Sequence, residues 1–422
     1  MSDTTPEVEP AKTRSSVNWR RIGLVGTILL LPIEVGAPLY EADLITGGYI
    51  GDIWVMLFDI PLLILVIATL TSTLHRIWEG DFSLGVGLLL FLVAAAGIAF
   101  VFHPSPSGIN VVVRLAMAVF LAMEVTRLDK KRFRRRVAVP LLIAAGIQST
   151  IAILQVATGG PLGLGSFGER SVLVMFGGST AAQGTTIHPY VLAGFSVLAA
   201  TVAIAVLPRD PSGRRWWLFG ITLAAVPIGL TYARTGAVGF VLLLIVLVVA
   251  AVRDPQRYRA ATLALAAGAL LPALVFSGGW DVRLQDSATT DIDANSSARL
   301  TLIEQSFDLM ADSPFVGVGP GRYETVLEAS DPAIPQIVHL VPALIAAEDG
   351  IYAGLVSLTL LLLLGWRAVR TSPAAVAIVV GLGIWMVFDK FTYAFPSGIA
   401  MFAIWLGTLD WLAARRSAVE SS

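Results

Sequence analysis

The stretch Leu84-Gly-Val-Gly-Leu-Leu-Leu-Phe-Leu-Val-Ala-Ala-Ala-Gly-Ile-Ala-Phe-Val-Phe102 runs for 19 residues without a charge. As a helix it would cover about 28 Å, close to the roughly 30 Å of a bilayer's hydrocarbon core. Reading outward in both directions finds eleven more such runs: Ile22 to Tyr40, Trp54 to Leu70, Ile109 to Val125, Val137 to Ala157, Tyr190 to Leu207, Trp216 to Tyr232, Thr235 to Val252, Ala260 to Phe276, Ile351 to Trp366, Ala374 to Phe388 and Pro396 to Ala413. The whole chain agrees, with 56% hydrophobic and 14% charged residues among 422 and a mean hydropathy of +0.77. Soluble domains carry about 25% charge, so a water-soluble globule is excluded. The expected fold is an all-α polytopic membrane protein of about twelve transmembrane helices.

Orientation follows from the basic residues. With the N-terminus inside, 22 of the 29 Lys and Arg fall in inner segments, six in outer segments, and Arg114 lies within a span. This is the positive-inside pattern, and one helix more or fewer would destroy it. Both termini are expected in the cytoplasm. The sequence divides into a tail (1–21), spans one to nine (22–276), a large extracytoplasmic loop (277–350), spans ten to twelve (351–413) and a second tail (414–422). The first apolar run is long enough to span and follows a polar tail, so no cleaved signal is expected.

Composition excludes several chemistries. Cysteine is absent, which removes disulfides, thiolate metal sites and cysteine nucleophiles. A formal net charge of -1 gives no case for nucleic acid. Neither HExxH nor GxxxxGK[ST] occurs, and Gly317-Val-Gly-Pro-Gly321 lacks the strand and helix that a nucleotide loop requires, so it reads as a glycine-rich turn.

The polar residues that could act together lie on the outer side, in Thr158 to Pro189 and in Ser277 to Gly350. Within the second loop, Ser297 to Met310 reads as an amphipathic helix with Leu302, Ile303, Phe307 and Met310 on one face, Ser296 or Ser297 as cap and Pro314 as stop. From Pro335 to Trp366 the apolar run would reach about 48 Å as one helix, so Glu348-Asp349-Gly350 is expected to break it.

Arg234 sits in the tight turn before span eight, beside a helix N-terminus. Free N–H groups, the dipole and a guanidinium make an anion site there, and snorkelling to headgroups is the alternative. Arg299 lies in the first turn of the loop helix, where a cation needs an anion or a bridge to Asp291 or Asp293. His339 has the pKa range of a general base, or serves as hydrogen-bonded structure. His188, just before Pro189, suits a helix cap. Glu34, Asp59 and Arg114 are charges inside spans and need partners; Arg114 with Glu34 is one pairing, a cavity lining another. Lys390, in a short connection, either touches a phosphate or stands at the interface.

Ala182-Gln-Gly-Thr-Thr-Ile-His-Pro-Tyr-Val-Leu-Ala-Gly194, Thr231-Tyr-Ala-Arg-Thr-Gly-Ala-Val-Gly239, Ser297-Ala-Arg-Leu300 through Asp312-Ser-Pro-Phe-Val-Gly-Val-Gly-Pro-Gly321, and His339 with Glu348-Asp-Gly350, taken in order, resemble the O-antigen ligase and O-antigen polymerase superfamily. The resemblance implies a membrane glycosyltransferase of the GT-C type. It would move a glycan from a polyprenyl pyrophosphate-linked donor to an acceptor glycan or glycolipid on the outer face of the cytoplasmic membrane, by inversion and without metal or other cofactor. By motif it places the catalytic base on His339 and the donor diphosphate on Arg234 and Arg299. His188, Arg322, Lys390 and Arg114 stand as secondary candidates. Leu340 follows the histidine where the family often has Asn, and Tyr190 replaces another common Asn. A repeat-unit polymerase shares all these motifs, and a transporter or lipid flippase is the alternative of another class, though no two halves of the chain match.

The orientation predicts that a C-terminal tag is accessible only after lysis and that a tag in 277–350 is accessible on intact cells. The reverse accessibility would contradict it.

Overall fold

In this computed structural model, residues 17–40, 53–289, 291–330 and 338–420 are described, and the side chains of 40, 286–298, 328–330 and 416–420 stand outside that description. The N-terminal residues 1–16 and part of the loop at 331–337 therefore fall outside it, as do the side chains of the capping candidates Ser296 and Ser297 and of the bridge candidates Asp291 and Asp293. Helix α1 (Trp19–Leu30) is followed by strand β1 (Gly36–Tyr40), which pairs antiparallel with β2 (Ile53–Met56). Then come α2 (Asp59–Trp78), α3 (Leu84–Phe102) and α4 (Pro106–Arg127). Helix α5 (Lys130–Phe133), a π-helical turn (Arg134–Ala138) and α6 (Val139–Thr158) form one continuous rod.

A short hairpin, β3 (Met175–Phe176) and β4 (Ser179–Thr180), precedes α7 (Pro189–Val206), α8 (Arg214–Leu230), α9 (Arg234–Arg253) and α10 (Pro255–Val275). The large loop is itself helical: α11 (Gly278–Thr289), α12 (Asp291–Asp312), α13 (Tyr323–Ser330) and α14 (Val341–Asp349). The chain ends with α15 (Ile351–Thr371), α16 (Pro373–Phe388), the short α17 (Phe391–Ala394) and α18 (Pro396–Glu420).

Among the described residues nine helices are long and apolar enough to cross a membrane. Helices α1, α8 and α16, with 12, 17 and 16 residues, lie on three more of the apolar runs but are shorter. The first two runs are corrected. Ile22 to Tyr40 is helical only to Leu30, because Pro32 cannot donate to a helix ladder, and Trp54 to Leu70 begins as a strand paired with Gly36–Tyr40. Proline also sets several starts cleanly. Ser105 accepts from Gly108 N–H at 3.0 Å ahead of Pro106, and Ser372 accepts from Ala375 N–H at 3.2 Å ahead of Pro373.

Helices α7 and α18 are buried along nearly their whole length and make the centre of the bundle. The long connections sit at one end, hereafter the loop end; Lys130 to Arg136, Arg209, Arg214 and Arg215 sit at the other, the basic end. Helix α12 begins at Asp291, earlier than the sequence reading, so Arg299 lies two turns inside it rather than in its first turn, and among its described side chains the buried ones are Leu302, Ser306, Leu309 and Met310. Phe307 is instead 60% exposed, since a 3.6-residue period carries it off that face.

Arg114 is corrected as well. Its Nη1 and Nη2 lie 2.9 and 3.0 Å from the two Asp59 oxygens, and its Nε donates to Asn110 Oδ1 at 3.0 Å. Its partner is therefore Asp59 rather than Glu34, and the pair locks α2 to α4 beneath the β1–β2 hairpin, whose Trp54 carbonyl accepts from Nη2 at 2.5 Å. Breaking a buried pair from one side typically costs about 3–5 kcal/mol. Arg114→Ala should lower the thermal unfolding midpoint of the detergent-solubilised protein sharply, and Arg114→Met with Asp59→Leu should recover most of it. Equal midpoints for the single variant and the parent would contradict this.

Candidate active site at the loop end of the bundle

Arg234 is the first residue of α9. The turn before it is unusual: Tyr232 has φ 48°, the left-handed region that non-glycine residues rarely occupy. Its conformation is held from the side by the start of the large loop. Tyr232 Oη donates to Phe276 O at 2.8 Å, Trp280 Nε1 donates to Gly229 O at 2.8 Å, and the Tyr232 ring meets Trp280 edge-on. A Cβ on Gly279 would lie 2.4 Å from that ring, so only glycine permits the contact. No side chain caps α9, and Arg234 Nε is buried without a hydrogen-bond partner. A buried guanidinium N–H and uncapped amides at one helix start call for an anion.

Helix α9 brings this corner against two others. A Cβ on Gly236 would lie 3.0 Å from Ala193 of α7, and one on Gly239 3.6 Å from Trp385 of α16. His188 is the N-cap of α7; its Nδ1 accepts from Tyr190 N–H at 3.3 Å. Burial, with Arg283 and Arg170 nearby, pushes His188 down to about 4, so it is neutral and suited to that acceptor role. Tyr190 and Trp385 both pack on Phe391 of α17.

Glu34, past the end of α1, ties the same corner together. It accepts from Ile187 N–H and from Ser397 Oγ, and its own N–H donates to Thr185 O at 3.1 Å. The 182–186 segment is clamped in turn by α6, where Gln148 Nε2 donates to Thr185 Oγ1 at 2.7 Å and Gln155 Oε1 accepts from Gly184 N–H at 2.9 Å.

The large loop docks on this floor through α17 and α14. Tyr393 Oη donates to Asp349 Oδ2 at 2.7 Å. The glycine-rich turn wraps the C-terminus of α14: Val318 N–H donates to Ala347 O and Gly319 N–H to Glu348 O, both at 2.9 Å. Gly317, Gly319 and Gly321 all have positive φ. Glu348 accepts from Tyr323 N–H at 3.2 Å and from Gly321 N–H, so its carboxylate starts α13. Burial raises both Glu348 and Asp349 above the ordinary carboxylate range, and Asp349 raises Glu348 further.

His339 precedes α14 and is half-buried. Next to it, the Val338 backbone meets the buried Tyr323 hydroxyl, which donates to Leu302 O of α12 at 3.1 Å. Tyr323 therefore sets the His339 segment beside α12 one turn beyond Arg299. Arg299 is exposed on α12 and acts electrostatically on Asp389, which burial pushes up to about 6 against the pull of Lys390 and Arg299. Lys390 interacts with Glu324 and Asp389, its charge opposed by desolvation. Arg322 lies on the glycine turn, its Cδ 3.1 Å from where a Gly319 Cβ would be.

At the loop end His188 is linked through Tyr190 to Phe391 of α17, Lys390 precedes α17, Arg299 acts on Asp389, the His339 segment meets Tyr323, and Arg234 starts the adjoining α9. Arg114 belongs to a separate ion pair. Glu34, Tyr323 and Tyr393 were missed as site-forming residues by sequence reasoning. Glu34 gave one signal, a charge inside an apolar run, whereas the two tyrosines gave none.

An all-helical bundle with this many long apolar helices is a polytopic membrane protein. Residues 219–358 match the family model described as O-antigen ligase. The match covers α9 with Arg234, the whole large loop with Arg299 and His339, and the start of α15. No curated protein matches the chain.

A net intramolecular hydrogen bond contributes about 1 kcal/mol. Tyr323→Phe should therefore lower stability by about that amount and speed backbone hydrogen exchange in the His339 segment, which it frees. Unchanged exchange there would show that Tyr323 does not position it.

Proposed function

We propose that the protein transfers a glycan from a polyprenyl pyrophosphate to an acceptor sugar at the outer face of the cytoplasmic membrane. In this reading twelve helices span, both termini are cytoplasmic and the loop end faces outward. The observation that carries it is Arg234: a buried, unpartnered guanidinium N–H at an uncapped helix start, inside the segment that matches the O-antigen ligase model.

The reaction is a direct displacement. The acceptor hydroxyl oxygen bonds to the anomeric carbon while the bond from that carbon to the pyrophosphate oxygen breaks, with inversion. The hydroxyl proton goes to the His339 imidazole, and the charge left on the polyprenyl pyrophosphate is countered by Arg234, Arg299 and the N-terminus of α9. Cations and helix amides supply the charge compensation that a divalent ion supplies in many soluble transferases, so transfer should survive chelation. The acceptor decides between ligase and polymerase, and both use the same geometry.

Arg234→Ala and Arg299→Ala should weaken retention of a lipid pyrophosphate donor, with partial rescue by Lys, which lacks the planar fork. His339→Ala should lose about 10²–10⁴-fold in turnover, the usual worth of general-base catalysis, with donor binding near the parent's. His188→Ala should damage folding more than chemistry. A fully active His339→Ala protein, or a folded and inactive His188→Ala protein, would mean that the base is elsewhere. A strict divalent-ion requirement would move the arginines' role to a metal.

A further inference from the structure

A cavity of about 260 Å³ opens at the basic end, lined by Lys130, Lys131, Arg134, Arg209, Asp210 and Trp411. Four cations face a single carboxylate there, and that carboxylate is already engaged. Asp210 Oδ2 accepts from Arg134 Nη1 at 2.8 Å and from Trp217 Nε1 at 2.9 Å, and Oδ1 accepts from Ser212 Oγ at 2.9 Å. Arg415 adds a further cation: its guanidinium lies 5.1 Å from the Trp411 ring centre, and its Nε is buried without a hydrogen-bond partner. Arg134 is the first residue of the π-helical turn Arg134–Ala138, a distortion frequent at functional sites. None of these groups takes part in the loop-end site.

Beside the cavity an apolar groove of about 520 Å³ runs between α6 and α8, from Val139 and Trp216 to Thr150 and Leu223. At 1.5 Å per residue it is about 17 Å long, close to half of a roughly 30 Å hydrocarbon core and so about one leaflet deep. The two spaces share a wall. Trp217 lines the groove, and its indole N–H is bonded to Asp210, which lines the cavity. A cationic cavity opening beside an apolar groove one leaflet deep matches an amphiphile with an anionic head and an acyl chain.

We infer that this is a binding site for one anionic phospholipid of the leaflet at the basic end, its phosphate among Lys130, Lys131, Arg134 and Arg209 and an acyl chain between α6 and α8. The charge complementarity selects an anionic head, and the adjoining groove selects a lipid over free phosphate. Basic pockets at this depth are suited to such heads. The site is independent of the glycosyl-transfer reading.

The test is native mass spectrometry of the full-length, detergent-purified protein titrated with phosphatidylglycerol or with phosphatidylcholine of the same acyl chains. Phosphatidylglycerol should be retained preferentially. Lys130→Gln with Lys131→Gln, both exposed, should weaken it at least tenfold, since each lysine near a phosphate is worth about fivefold. Gly146→Leu should also weaken it by filling the groove: a Cβ there would meet only Leu223 Cδ1, at 3.7 Å, so the backbone is not disturbed. The inference is overturned if the two lipids are retained equally or if the lysine variant keeps the parent's preference. It is also overturned if Gly146→Leu is without effect, or if millimolar inorganic phosphate displaces the lipid completely, which would mark a free-anion site.

Discussion

Two buried carboxyls in sequence, Glu348 and Asp349, carry the loop end of this molecule. A pair of like charges taken out of water is costly, and burial raises both above the ordinary range. The arrangement holds because each carboxyl has its own donor. Glu348 takes the Tyr323 amide at the start of α13 and the Gly321 amide just before it, and Asp349 takes the hydroxyl of Tyr393 on α17. The glycine-rich turn closes round the same helix end, at φ values that a side chain would resist. Gly350, with φ 97°, then lets α15 leave in a new direction. Loosening this knot would free α13 and the His339 segment from the bundle together.

The two ends of the bundle solve opposite problems. At the loop end Glu34, Gln148, Gln155, Tyr323 and Tyr393 are buried or nearly so and act as hydrogen-bonded ties, and Arg234 keeps an unused donor. At the basic end cations outnumber acids and stand over Trp411, with Asp210 and Asp410 as anchors for α5 to α8 and for α18. The first arrangement fixes a rigid geometry, which displacement chemistry requires. The second leaves a surplus of positive charge beside a cavity.

Much of the helical plan was legible because an apolar run of membrane length has few other solutions. Where it was misread, the cause is local. Pro32 ends α1 early, and the remaining apolar residues enter a hairpin whose partner strand, Ile53–Met56, lies further along the chain. The break at Gly350 and the glycine turn were legible from their residue types. The Arg114 partner was not, because Asp59 and Glu34 fit the charge requirement equally and only the packing of α2 on α4 chooses between them. The roles of Tyr323 and Tyr393 were also hidden: each bonds a group brought near by folding, with no spacing in the sequence to announce it.

The central claim is that the diphosphate of a lipid-linked donor sits at the start of α9 with the acceptor face turned toward His339. A structure of the protein with a non-transferable polyprenyl pyrophosphate glycan tests it most directly. The account predicts phosphate oxygens within hydrogen-bond distance of Arg234 and the first amides of α9, and the anomeric carbon open toward the His339 imidazole. A diphosphate bound elsewhere, with Arg234 still unpartnered, would contradict it.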